Sequence, residues 1–286
     1  MFYNQFKTVL LLATLSAGLL FIGGLLGGTS GIIMALMLSF IMNGIAYFAG
    51  DKIILNMHKA KPLDRQHYKD IYATIEELTN LMHIPQPKVW LIESKMANAF
   101  ATGRNPANAS IAVTTGILEI LNKKELRGVL AHELSHIKNR DTLIATIAAT
   151  LATAIGYAAR MFQFGMYNRN NERSGTNALS ALVIAIIMPL AAVLIQLALS
   201  RTREYKADET GAYSCQDPLA LASALEKLHN HISYASMDSN DTAKATTAPL
   251  FIMHPFTGKN WTVLFSTHPP IGARIAHLHQ IYNKMF

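Results

Sequence analysis

His132, Glu133, Leu134, Ser135 and His136 set two imidazoles four positions apart with a carboxylate between them. On a helix that spacing stacks the histidines one turn apart, so both rings can address one ion. Zinc suits such a pair. Glu133 projects about 100° round from His132, close enough to take a proton from a water on the metal without ligating it. A catalytic zinc takes three protein ligands and keeps its fourth position for water, so a third ligand must come from elsewhere.

The residues just downstream do not supply it. Asn139 and Thr142 stand where a three-histidine motif would place glycine and histidine. A glutamate from another helix is the remaining solution. Glu204 and Asp208 lie one turn apart and face the same way, and the small Ala207, Gly211 and Ala212 would let their helix approach the histidine helix closely. The expectation is Glu204 as third ligand, with Asp208 accepting the free ring N–H of a zinc histidine. Taken alone, Arg203, Glu204, Lys206, Asp208 and Glu209 would read as a solvated set of helix ion pairs.

The elements that must position these groups are legible in outline. Asn122 predicts a cap for a helix through Leu126, Val129, Leu130, His132, His136 and Ile137, whose apolar stripe faces a core. A preceding helix over Asp64 to Ile84 carries Ile71, Ile75, Leu78 and Met82 at helical spacing and stops before Pro85 and Pro87. Val89 to Ile92, Asn98 to Thr102 and Ser110 to Val113 predict short strands. Asp217 followed by Pro218 predicts a further helix start, and Ser236 to Thr247 a polar loop. The single cysteine, Cys215, excludes an intrachain disulfide and reads as a small buried side chain.

Hydrophobic residues make up 51% of the chain against 15% charged, which points to segments in lipid. No charged side chain occurs between Thr8 and Gly50, a stretch long enough to cross a hydrocarbon core of about 30 Å twice with a break at Gly27 to Gly31. A signal peptide is the rival reading of its first half, but no cleavage site of small residues separates it from the second. Thr142 to Ala159 and Ser174 to Ser200 are two further uncharged stretches. Because His132 and Glu204 flank this pair and must meet on one side, it crosses twice or not at all; a buried hairpin is the alternative. Lys52, Lys59, Lys61, Arg65, Lys138, Arg140, Arg201 and Arg203 border the apolar segments, which places those flanks in the cytoplasm. The net charge of +7 is spread out rather than gathered in one run, so the bilayer and not nucleic acid is the expected partner.

With NAFATG at Asn98 to Gly103, AHELSHIKNRD at Ala131 to Asp141, SRTREYKADETGA at Ser200 to Ala212 and His268, Pro269, Pro270 in this order behind two apolar segments, nearly the whole chain resembles the HtpX family of bacterial membrane zinc metalloproteases, relatives of the CAAX prenyl proteases. The resemblance implies an α+β, mainly helical integral membrane protein whose gluzincin-like domain carries a small β-sheet. Residues 1–50 would form two transmembrane helices and residues 51–286 the protease domain, interrupted at about 142–199 by two more hydrophobic helices. It further implies one Zn2+ per chain on His132, His136 and Glu204, Glu133 as base, and a multi-pass protein of the inner membrane. Its catalytic domain would face the cytoplasm and cut misfolded or damaged membrane proteins in stress-response quality control.

His268 matches a histidine that stabilises the transition state in prenyl proteases, and could instead simply order a Pro-Pro turn. Asn98, Ala99 and Phe100 match a strand whose edge pairs with substrate backbone, the alternative being an interior strand. A different class of function also fits the composition: a non-proteolytic membrane scaffold or holdase with a structural zinc, which would require four protein ligands.

Overall fold

A computed structural model describes residues 2–167, 201–232, 252 and 269–286. The apolar stretch at 174–200, the polar loop at 236–247 and His268 lie outside them.

The first helix, α1 (Phe2–Met57), turns back on itself at Gly28, whose φ of 58° and ψ of −140° suit glycine and strain any L side chain. The two arms touch closely. A Cβ on Gly23 would stand 2.5 Å from the Gly31 carbonyl oxygen, and the Ser39 hydroxyl and Asn43 amide both reach Ser16 Oγ, at 2.6 and 3.0 Å. Within α1, Thr8–Leu25 and Gly27–Met57 are each long and apolar enough to cross a membrane. The second arm runs past Gly50, where the uncharged stretch ends, to Met57. Its last turns already belong to the domain beyond the hairpin: Ile54 and Leu55 pack against Ile92, Phe100, Ala112 and Ala149.

Among the described residues, four strands form one sheet in the order β1 (Lys61–Pro62), β2 (Lys88–Ile92), β4 (Ala109–Thr114), β3 (Ala99–Gly103). β2 and β4 are parallel, pairing Val89 with Ile111 and Leu91 with Val113. β3 runs antiparallel to β4, with Ala99 opposite Val113 and Ala101 opposite Ile111, and is outermost among the described strands. Both faces are covered, which is why the strands read as nearly continuous apolar runs rather than alternating ones. Ala99, Ala101, Ile111 and Val113 join the main core, which takes in the helices α2 (Lys69–Met82) and α4 (Lys123–Lys138); Phe100 and Ala112 point to the other side, towards the end of α1.

The short α3 (Thr115–Ile120) links the sheet to α4. Beyond α4, the apolar α5 (Thr142–Tyr167) packs Ile147, Ala148 and Leu151 against Leu11, Leu15 and Ala46 of the hairpin, and its Thr146 and Thr150 press on Gly50. This helix continues through Arg160, beyond the end of its uncharged stretch. The described residues hold three further helices, α6 (Arg201–Cys215), α7 (Pro218–Ile232) and α8 (Ile271–Met285). Asp217 caps α7 by accepting a hydrogen bond from Ala220 N at 3.0 Å, and Cys215 is a free, buried thiol. α4 lies at the centre, with β3 on one side and α6 and α7 on the others.

Candidate metal centre

A full capping box fixes the entry of α4. The Asn122 side chain accepts from Glu125 N at 3.0 Å, and the Glu125 carboxylate accepts in return from Asn122 N at 2.9 Å. Ser223 and Lys227 of α7 donate to the same carboxylate at 2.7 and 2.8 Å, so the box also pins α7 to α4.

Two turns along α4, His132 and His136 bring their Nε2 atoms to 3.2 Å, with the rings edge to face. α6 crosses α4 here because Gly211 has no side chain. A Cβ on it would lie 3.1 Å from His132 N. That crossing delivers Glu204, whose Oε1 is 3.5 Å from His136 Nε2 and whose Oε2 is 3.8 Å from His132 Nε2. The ligand atoms of His132, His136 and Glu204 all lie within 4.8 Å of one another. Two imidazole nitrogens and one carboxylate oxygen around a common point, with both histidines backed by carboxylates, are a donor set that fits a divalent metal ion.

Each imidazole has its own acceptor. The Nδ1 of His132 lies 2.9 Å from Asp208 Oδ1, and that of His136 lies 3.2 Å from Asp141 Oδ2. With Nδ1–H donating to a carboxylate, each ring presents its Nε2 lone pair towards the shared point. Arg274 of α8, 1% exposed, holds Asp208 in a two-pronged grip, donating from Nε at 2.8 Å and from Nη2 at 2.6 Å. Burial works against the Asp208 carboxylate, but the Arg274 charge and hydrogen bonds outweigh it and hold its pKa below the ordinary range. Burial lowers the His132 pKa, against the pull of Asp208.

Glu133 points elsewhere. It is buried, lies outside the three-ligand group, and takes a hydrogen bond from the backbone of Ala101 on β3. Burial pushes its carboxyl up to about 8, with the Glu204 charge acting the same way and His136 opposing it. Burial alone would lower the His136 imidazolium, but the Asp141 hydrogen bond and the carboxylates of Glu204 and Glu133 carry it up to about 9. A dication among these groups would favour the anionic glutamate and the neutral ring.

His132, His136, Glu204 and Asp208 thus come together, with Glu133 buried beside them on the same helix as the histidines. Of the three residues read as an edge, Asn98 and Phe100 turn their backbone groups to β4: Asn98 O accepts from Thr114 N at 3.0 Å, and pairing alternates along the strand. Ala99 and Ala101 face outward, Ala99 O accepting from Ile252 N at 3.2 Å. The sequence reading missed three contributors. Asp141 reaches His136 by a turn rather than by helical spacing, and the only hint was a carboxylate five residues beyond a ligand histidine. A lone arginine between two prolines and a helix end gave Arg274 no assigned role. Ala101 contributes through its backbone, for which side-chain type carries no signal.

A model of peptidase family M48 matches residues 65–282. A protein described as Protease HtpX homolog from Syntrophobacter fumaroxidans is 47% identical over 283 residues, covering 97% of this chain and 99% of its own. Protease HtpX of Legionella pneumophila strain Corby is 48% identical over 285 residues, with 98% and 99% covered. Among solved structures, S. mikatae Ste24p superposes with a TM-score of 0.54 at 18% identity, over 97% of this chain and 66% of that one, a likeness of fold.

Proposed function

The chain belongs to peptidase family M48, and from that premise we propose that it is a zinc-dependent endopeptidase of misfolded or damaged membrane proteins, with His132, His136 and Glu204 as ligands and Glu133 as general base. The observation that carries this reading is the meeting of three ligand atoms within 4.8 Å while the neighbouring Glu133 stays outside the set. When bound, zinc supplies Lewis acidity at the scissile carbonyl and at water. Glu133 accepts the water's proton on its carboxylate and passes it to the leaving amine. The Ala101 N–H fixes that carboxylate, and Asp208 and Asp141 hold the two rings with Nε2 forward.

Substrate is read as an extended backbone laid along the outer edge of β3, where it would take the place of Ile252, whose N–H now donates to the outward carbonyl of Ala99. Recognition through the backbone suits a protease that meets many unfolded sequences. His268 is assigned the developing oxyanion, a role that His268→Ala tests through a fall in kcat at unchanged zinc content. Lys52, Lys59 and Lys61 at the base of the hairpin support a multi-pass protein of the bacterial inner membrane with this domain in the cytoplasm. A reporter within 168–177 tests the remaining crossings.

The deciding experiment compares parent and Glu133→Gln in detergent for digestion of an unfolded protein, with zinc measured on both. The reading expects zinc in both and cleavage by the parent alone. Cleavage at the parent rate by the variant would overturn Glu133 as base, and zinc in both with cleavage by neither would favour the scaffold.

A further inference from the structure

The chain leaves α4 by a tight turn. Arg140 has a φ of 59°, and the backbone N–H of Asp141 donates to the carbonyl of His136 at 2.9 Å. This reversal returns the Asp141 side chain, in a residue only 6% exposed, to His136 Nδ1 at 3.2 Å. Asp141 is also the residue that precedes α5. One turn further into α5, the Thr146 hydroxyl lies 2.8 Å from the Thr102 hydroxyl and accepts from Gly103 N at 3.1 Å, at the end of β3. A single stretch of chain, 141–146, therefore touches a ligand histidine at one end and the edge strand at the other, and the helix it opens packs on the apolar hairpin.

We propose that Asp141 is a positioning residue that orients His136 for the metal, and that through it the ligand takes its bearing from the first turn of α5. The inference rests on the assignment of His136 as a ligand. His132 has its own acceptor, Asp208, gripped by Arg274, so the two ligand rings are aimed by separate parts of the fold. His132 answers to α6 and α8; His136 answers to α5.

The test titrates metal-free full-length protein in detergent with zinc against a competing chelator, and records the visible spectrum of the cobalt-substituted protein. Asp141→Asn keeps shape but weakens the acceptor, and is expected to raise the zinc Kd by about 10- to 100-fold and to shift the cobalt bands. Asp141→Glu, which restores a carboxylate, is expected to recover part of that loss. The unfolding midpoint of the metal-free variants is followed alongside, since a merely structural role would move the midpoint and leave the zinc Kd and the cobalt spectrum alone.

A zinc Kd within twofold of the parent, with an unchanged cobalt spectrum, would overturn the proposal; should the Asn variant not fold, an Asp141→Ser variant with parental affinity and spectrum would do the same. His136→Ala and Glu204→Ala, measured alongside, report on the ligand assignment itself. If they hold zinc as the parent does, that assignment falls and takes this inference with it. If they lose zinc while Asp141→Asn does not, only the positioning role is refuted.

Discussion

Replacing Gly211 by alanine would put a methyl group where α6 crosses α4. The new Cβ would stand 3.1 Å from His132 N and 3.2 Å from both Ala131 C and His132 Cα, inside the 3.4–4 Å of ordinary contact. These are main-chain atoms of a helix braced by β3 on its far side, so α6 is the element that must yield, by a few tenths of an ångström. Glu204 and Asp208 travel with it. Metal–ligand distances are satisfied only within about 0.2 Å, so the displacement is as large as the tolerance, and we expect the zinc Kd to rise about tenfold, or about 1.4 kcal/mol.

Stability should change less than binding. Alanine gains about 0.5–1 kcal/mol over glycine inside a helix, while crowding a packed site costs about 1–3 kcal/mol. Zinc titration against a chelator measures the first quantity and denaturant unfolding of the metal-free protein the second. Gly272→Ala on α8 is the control, because a Cβ there meets nothing within 4 Å and should leave zinc affinity untouched. Unchanged zinc affinity in Gly211→Ala, together with a clear loss of stability, would refute the idea that this crossing sets the distance from carboxylate to histidine.

The same geometry makes three other outcomes testable. Arg274→Met strands the Asp208 carboxylate in the interior, where losing one member of a buried ion pair costs about 3–5 kcal/mol, so metal-free unfolding should shift by that order. Lys227, Asn122 and Ser223 outweigh the burial of Glu125 and hold its pKa below 4.5, so its contribution to stability is complete above the unfolded value and vanishes as pH falls through the lower folded one. Glu125→Gln should therefore be less stable than the parent at pH 7, and the gap should close as acid unfolding is followed below pH 4.5. Chelation should lower the thermal midpoint, since zinc at a thousandfold excess over its Kd adds about 4 kcal/mol to the folded state.

What the sequence disclosed was whatever local rules control. The four-residue spacing of His132 and His136, the Asn122 cap, the Asp217–Pro218 start and the small residues of α6 each act within a turn or two of helix, and the structure has all of them. Only the Glu125 half of the capping box was overlooked, although it stands three residues after its partner. What stayed hidden depends on distant segments meeting. Arg274 serves Asp208 across 66 positions, and the parallel pairing of β2 with β4, which leaves β3 outermost, comes from packing and not from strand composition. Asp141 was hidden for another reason: helical periodicity has no way to anticipate a side chain brought back by a left-handed residue at Arg140.

The second arm of α1 spans 31 residues, a rod of about 46 Å. A hydrocarbon layer would take up about 30 Å of it. The remainder would stand clear of the lipid as a stilt, and its last turns pack directly on Ile92, Phe100 and Ala112 of the sheet. In a bilayer, a domain mounted this way would be held at a set altitude above the lipid. Polypeptide emerging from the membrane would meet the edge of β3 only after enough chain had been paid out to climb that high, so the stilt would act as a yardstick, selecting bonds by their distance from the lipid rather than by the side chains around them.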